Sequence, residues 1–271
     1  MKNIEVANGL SEARKKEAGV LFENLIHLMD QLREHCPWDK KQTYQTLRSL
    51  TIEELYELVD ALQNKNEKNI KEELGDLLLH ILFYSKIGHE NGTFDIADVV
   101  QAISTKLVNR HQHIFGDVQV ENEADVKKNW ETIKLKEGKK SILEGVPNAL
   151  PAITKAMRMQ EKAKAVGFDW DNRTQVWDKL MEEMNELKVE IAHTNKSKME
   201  DELGDVFFAL INYSRFIDID PEAALDSTNR KFKRRFMAME QKIYAQNKTM
   251  QSMNLKEMDE IWDEIKKTEK Q

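Results

Sequence analysis

The sequence predicts an all-α protein built from two tandem copies of one helical domain. Three observations carry that prediction. An acidic pattern, E-E-x-x-E followed by E-L-G-D, occurs twice with identical internal spacing. It appears as Glu53, Glu54, Glu57, Glu73 and Asp76 and, 129 residues later, as Glu182, Glu183, Glu186, Glu202 and Asp205. Charged residues make up 33% of the chain, with only ten Gly and four Pro in 271 residues, a composition that suits long helices. No segment alternates convincingly at period two, so no substantial sheet is expected.

Each element follows from local signals. Leu21, Leu25, Leu28, Met29 and Leu32 recur at helical spacing and predict the first apolar face. Thr51 followed by Glu54 reads as a capping box opening the next helix, and Ser197 with Glu200 has the same form in the second half. Turns are expected near 63–67 and 193–197. Glu57 and Glu73 then lie about six residues either side of the first turn, roughly 9 Å from it at about 1.5 Å per residue. An antiparallel hairpin sets them face to face. Gly75 and Gly204 fall inside these helices at about 1 kcal/mol each relative to Ala, which predicts a close helix approach. Asp220-Pro221-Glu222 supplies an N-cap, a first-turn Pro and a first-turn acid in order.

The clearest boundary is the Gly- and Pro-rich stretch around Gly138, Gly145, Pro147 and Pro151. The expected organisation is an N-terminal domain over 1–137, a linker over 138–151 and a C-terminal, catalytic domain over 152–271. Other features repeat in the same order: Trp38-Asp39 and Trp170-Asp171, Asn109-Arg110 and Asn229-Arg230, and the Trp-containing ends at 130–137 and 262–269. A lone hairpin buries little, so a four-helix-type bundle completed by homodimerisation is expected.

Composition narrows the function. Net charge is -7 with a pI of about 5.6, which argues against a nucleic-acid polymer held on a basic surface. The single Cys36 excludes an intramolecular disulfide framework and fits a reducing compartment. Residues 1–17 are polar and charged, with no stretch of signal or membrane length, so a cytoplasmic protein without membrane partners is expected.

On helices, i,i+3 and i,i+4 spacings put carboxylates on one face. Four or five of them in one cleft require counter-charge. Oxygen-only donors favour Mg²⁺, Mn²⁺ or Ca²⁺ over zinc, and an incomplete protein cage suits Mg²⁺ shared with substrate phosphates. A di-iron carboxylate bundle requires Glu-x-x-His, whereas the fourth residue here is Asp in both copies.

The halves differ around the acids. Lys179 and Lys198 stand where the first half has Leu50 and Asn69. After the Asn-Arg pair, Lys231 and Arg235 share a helix face, where the first half offers His111 and Phe115. Arg gives planar bidentate contacts to phosphate and Lys a point charge, so the pair suits a triphosphate. Trp130 and Trp262 suit either base stacking or packing of a terminal helix. His27, His35, His80 and His89 share no spacing and read as incidental; the Met residues read as core filler.

Cys36-Pro37-Trp38-Asp39 with Gln42-Thr43, the two acidic sets, Leu143-Glu144-Gly145-Val146-Pro147 and Val166-Gly167-Phe168-Asp169-Trp170 together resemble the MazG family of the all-α NTP pyrophosphatase superfamily. The resemblance runs from about Leu21 to Lys267, in the family's tandem form. It implies a dimeric, Mg²⁺-dependent hydrolase that converts NTPs and dNTPs to monophosphate and pyrophosphate in its C-terminal domain. Mn²⁺ would be a possible substitute. It implies Glu183, Glu186, Glu202 and Asp205 as metal ligands. Lys179, Glu182, Lys198, Asp201, Asp205, Lys231, Arg235 and Trp262 would contact the nucleotide. Glu182 or Glu183 would accept the proton of the attacking water, with Lys231 and Arg235 stabilising the leaving pyrophosphate. Glu54, Glu57, Glu73 and Asp76 would form a possible second metal site. A narrow-specificity dUTP or modified-nucleotide pyrophosphatase and a non-catalytic nucleotide-binding regulator are the alternatives.

Overall fold

A computed structural model describes residues 8–122, 125–126, 129–130 and 141–269. The chain divides into two compact units, Met1–Val126 and Lys127–Gln271. Among the described residues every regular element is helical, and no helix is long and apolar enough to cross a membrane.

The first unit contains α1 (Glu12–His35), α2 (Tyr44–Gln63), α3 (Glu67–Glu90), α4 (Ile96–Arg110) and the single turn α5 (Gln112–Phe115). Its core gathers Met29, Leu47, Leu82, Phe83 and Ile87, with Phe22, Leu25, Ile26, Leu50 and Leu79 packed around them. The buried face of α1 is thus 22/25/26/29. Leu21 and Leu28, expected on that face, are exposed. Spacing alone does not distinguish two stripes one residue apart when apolar residues occupy both.

The second unit contains α6 (Ala152–Ala165), α7 (Arg173–His193), α8 (Lys196–Phe216), α9 (Pro221–Ala245) and α10 (Leu255–Thr268). Met239, Ile243 and Ile261 form the buried seam of α9 and α10, flanked by Phe236, Met250, Met253, Met258 and Trp262. Of the methionines read as filler, Met239, Met250, Met253 and Met258 fill this core and Met29 the first, whereas Met181, Met184 and Met237 are exposed. Of the expected linker, 138–140 lies outside the described residues, as does 131–137 of the repeated Trp segment. Ile142–Gly145 forms a short 3₁₀ turn and Pro151 caps α6.

Three local expectations change. α2 starts at Tyr44, capped by Thr43 in a box with Thr46. Thr51 is interior, its hydroxyl donating to the Leu47 carbonyl at 2.9 Å. Likewise α8 starts at Lys196 under the cap Asn195, two residues before Ser197. In both cases a cap with a better-placed acceptor lies upstream. Gly75 and Gly204 have open space around the position of an added Cβ, so no close approach within either unit accounts for them. Asp220 does cap α9, accepting from the Ala223 N–H at 3.0 Å with Pro221 at the first position.

The acidic hairpins α2–α3 and α7–α8 close through tight turns. Each turn places one non-Gly residue in the left-handed region, Lys65 at φ 51° and Thr194 at φ 56°. That conformation costs about 1–2 kcal/mol for an L-residue, and a β-branched side chain is the least suited to it. Replacing Thr194 by Gly should therefore raise stability by about 0.5–1 kcal/mol after the entropic cost of Gly is subtracted. Urea unfolding followed by circular dichroism measures this; an unchanged or lowered midpoint would contradict the strain.

Candidate active site

The hairpins bring the acids together as their spacing requires. In the first unit, carboxylate oxygens of Glu54, Glu57 and Glu73 lie within 4.8 Å of one another; in the second, those of Glu183, Glu202 and Asp205 do. The fourth member is close in each case. Asp76 acts electrostatically on Glu54 and Glu73, and Glu186 acts on Glu202. Glu182 and Asp201 sit outside the trio and are exposed.

Crowding shows in the titration behaviour. Burial, followed by repulsion from Glu186, Glu183 and Asp205, pushes the Glu202 carboxyl above its ordinary range. Burial and the neighbouring carboxylates push Glu54 and Glu73 upward in the same way. Glu202 Oε2 is buried without a hydrogen-bond partner. An orphaned acceptor surrounded by like charges is what a cation would relieve. The donor set, all carboxylate, fits a hard divalent ion.

The two units diverge in fixed positive charge. Glu183 is only 6% exposed, and Lys179 Nζ lies 2.7 Å from its Oε1 and 2.8 Å from Glu182 Oε1. Hydrogen bonds that Lys179 donates to Glu182 and Glu183 raise the pKa of its ammonium and hold it protonated. The first unit has Leu50 at that position, packed against the apolar core. His80, read as incidental, is buried there instead, with Nδ1 2.6 Å from the Thr51 hydroxyl. Burial lowers its pKa, against the opposing pull of Asp76.

The remaining basic residues form other groups. Lys198 Nζ lies 3.7 Å from Glu190. Lys231 is exposed on α9. Arg235 Nε donates to Glu269 at 2.6 Å, and Arg234 Nε donates to the other oxygen of the same carboxylate at 2.8 Å. Trp262 packs on Phe232 with ring centroids 5.4 Å apart. Lys179 and Glu182 therefore join the acids directly. Lys231, Arg235 and Trp262 assemble along α9 and α10, with Glu269 holding the arginines.

A cavity of about 600 Å³ opens beside the second acidic set, with Lys179, Glu183 and Asp205 in its wall. Gln160, Trp170, Asn212 and Arg215 also line it. Arg215 donates to both Asp169 and Asn212. Burial pushes the Asp169 carboxyl up, but the hydrogen bonds and charge of Arg215 outweigh it and hold the group below its ordinary range. The sequence reading missed Gln160, Asn212 and Arg215. A residue-by-residue comparison of the repeats beyond E-L-G-D would have flagged Asn212 against Phe83.

Known proteins are similar in sequence along most of the chain. The model of the MazG nucleotide pyrophosphohydrolase domain matches residues 42–115 and 172–238, which include both acidic hairpins. The nucleoside triphosphate pyrophosphohydrolase/pyrophosphatase MazG of Thermotoga maritima is 43% identical over 256 residues, covering 93% of this chain and 98% of that protein. The nucleoside triphosphate pyrophosphohydrolase of Escherichia coli K12 is 38% identical over 257 residues, 92% of this chain and 98% of its own. The uncharacterized protein YabN of Bacillus subtilis is 42% identical over 264 residues, which is 94% of this chain but 54% of that longer one.

The raised Glu202 carboxyl has a thermodynamic consequence. Its folded pKa exceeds its unfolded value, so its contribution to stability is fully present below the unfolded pKa. The contribution is lost as pH rises through the folded pKa. At neutral pH the ionised group therefore destabilises the metal-free protein. Glu202→Gln should raise the metal-free Tm at pH 7.5, with a gain that shrinks as pH falls through the carboxylate range. The same substitution should abolish most of the stabilisation given by added Mg²⁺. Thermal melts from pH 4.5 to 8, with and without the ion, check both signs.

Proposed function

Because this chain belongs to the MazG nucleotide pyrophosphohydrolase family, we propose that it hydrolyses nucleoside triphosphates, ribo and deoxy, to the monophosphate and pyrophosphate in its C-terminal unit. The carrying observation is the trio Glu183, Glu202 and Asp205 with Lys179 fixed beside it at the mouth of a 600 Å³ cavity. Such a place provides for a polyanion at one end and an organic group at the other.

Glu183, Glu186, Glu202 and Asp205 would hold Mg²⁺, with Mn²⁺ as a substitute. When bound, the ion neutralises phosphate charge and lowers the pKa of water. Lys179 presents an ammonium at the same level and is positioned to take up a phosphate oxygen in exchange for Glu182. Glu182, once released, is an exposed carboxylate able to accept a proton from the attacking water; Glu183, buried and lysine-bound, serves better as a fixed ligand. Lys231 and Arg235 would meet the leaving pyrophosphate, Arg235 exchanging Glu269 for phosphate. Lys198, Asp201, Asp205 and Trp262 would complete the nucleotide contacts.

The first unit keeps the acids but not Lys179 or the α9 basic pair. It fits a metal site without hydrolysis, formed by Glu54, Glu57, Glu73 and Asp76. The activity suits nucleotide-pool housekeeping or stress regulation in the cytoplasm, with the half-buried thiol of Cys36 kept reduced.

A homodimer belongs to this reading. Trp177, Met184, Leu203 and Phe207 are large apolar side chains left exposed on the α7–α8 hairpin, Phe207 to 57%. The open space around Gly204 lies next to Leu203 on α8, where a second hairpin would approach closely. Pairing two hairpins supplies the four-helix core that one hairpin lacks.

Pyrophosphate release from an NTP panel tests the chemistry. Activity should require Mg²⁺ and vanish in EDTA. Glu183→Gln should lower kcat by at least about a hundredfold, while Glu54→Gln leaves it within about threefold. The reverse pattern would move catalysis to the N-terminal unit, and orthophosphate as sole product would refute the reaction. For assembly, Phe207→Asp should halve the mass measured by light scattering, because a buried unpaired charge costs more than a pairwise interface gains at one position. A wild-type protein of about 32 kDa by the same measurement would contradict dimerisation.

A further inference from the structure

The two units share a register of 129 residues across the acidic hairpin, which pairs every position of one with a position of the other. Beyond the carboxylates, the second unit has Lys179, Ala209 and Asn212 where the first has Leu50, His80 and Phe83. Phe83 is 2% exposed and belongs to the core of its unit, with the Trp38 ring edge-on at 6.4 Å. His80 is buried beside it on α3, bonded to Thr51. Thus, at two positions that in the second unit line a 600 Å³ cavity, the first unit carries larger, buried side chains.

Asn212, which stands in place of Phe83, and Gln160 on α6 are polar side chains in the wall of this cavity. Gln160 is 6% exposed; its Nε2 donates to the Phe208 carbonyl at 2.9 Å, which fixes the amide orientation. Its Oε1 is buried and has no partner. Asn212 Oδ1 accepts from Arg215 Nε at 3.2 Å and from Nη2 at 2.8 Å, and Arg215 is itself anchored on Asp169. With its oxygen thus occupied, the Asn212 amide is left as a donor at the cavity wall. Gln160 and Asn212 therefore contribute one acceptor and one donor to the cavity lining, with Trp170 and Phe208 supplying aromatic surface. Leaving a buried carbonyl oxygen unpaired costs about 1–3 kcal/mol, so the site is built for a ligand that donates to it.

We propose that this cavity receives the nucleobase of the substrate, and that Gln160 and Asn212 are specificity-determining residues that read its hydrogen-bonding edge. The inference rests on the C-terminal hydrolytic reading above and deepens it. The ligand class is a planar heterocycle carrying a donor and an acceptor on one edge. Its attached phosphates lie toward Lys179, Glu183 and Asp205. The Asp169–Arg215 pair acts through Asn212 and is a positioning device. Phe83 and His80 deny the first unit this half of the site, independently of its missing lysine.

The test separates base from phosphate. Asn212→Phe installs the residue of the first repeat. It should raise KM for NTPs by at least about tenfold, equivalent to about 1.4 kcal/mol. The inhibition constant of Mg²⁺-tripolyphosphate, which has no base, should stay within about twofold. Gln160→Leu, close in volume, should change the ratio of kcat/KM among ATP, GTP, CTP and UTP by at least about tenfold, as expected where a buried acceptor loses its role in selection. Melting temperatures verify that both variants are folded, and either one suffices. Unchanged NTP constants in both, or a tripolyphosphate constant that rises in step with KM, would overturn the proposal. So would a rise in KM on Trp262→Ala without one on Asn212→Phe, which would place the base on Trp262. Failure of the unmodified protein to release pyrophosphate would instead strike the functional reading itself.

Discussion

Mutual repulsion among carboxylates held at one level of a helix hairpin is the constraint on which the rest depends. A hairpin with helices Tyr44–Gln63 and Glu67–Glu90, or Arg173–His193 and Lys196–Phe216, has no freedom to separate its acids once the turn is set. The turn is tight enough to force Lys65 and Thr194 into left-handed backbone. The electrostatic strain then appears at named atoms, in the upward-shifted carboxyls of Glu54, Glu73 and Glu202 and in the unpartnered Glu202 Oε2. A fold selected only for stability would relieve this with a lysine or an amide at each position. Crowding of this kind, present twice, is what a bound divalent cation would relieve.

The two units solve the same problem differently. In the second, Lys179 supplies one fixed positive charge and binds the most buried acid, Glu183. In the first, Leu50 is committed to the apolar core and no cation stands in its place. One substitution thus exchanges a charge at the mouth of a cavity for packing within a core. The pattern extends inward, where Phe83 and His80 are exchanged for Asn212 and Ala209. Core volume in the first unit and cavity volume in the second are alternative uses of one region of the fold.

Much of this was legible in the sequence because it is local or periodic. The helices, the tight turns at 63–67 and 193–197, and the cap at Asp220 follow from spacing and from residues within four positions. The metal-compatible grouping follows from hairpin geometry alone. The errors were of three kinds. Thr51 and Ser197 are good capping residues overridden by caps upstream at Thr43 and Asn195, because helix starts compete and only one is used. The face of α1 was displaced by one residue, since Leu21 and Leu28 are as apolar as Phe22 and Ile26 and only tertiary packing decides. Gly75 and Gly204 were assigned a close approach that neither unit contains.

What the sequence withheld was long-range. Glu269 engages Arg234 and Arg235 from 35 and 34 residues away, and nothing local marks it as their partner. Gln160 meets the Phe208 carbonyl across 48 residues, and Arg215 meets Asp169 across 46. Each of these contacts joins an element outside the acidic hairpin to one within it or, for Glu269, two helices beyond it. The hairpin carries the repeated acids, while the groups that are not repeated lie both on it, as Lys179 and Asn212 do, and on elements outside it, as Gln160 and Asp169 do. Duplication therefore explains why the acids are easily seen in the sequence, and divergence explains why the selective residues are not. The acids keep one spacing in both copies. The residues facing an organic ligand are free to differ between copies, because each copy answers to its own cavity.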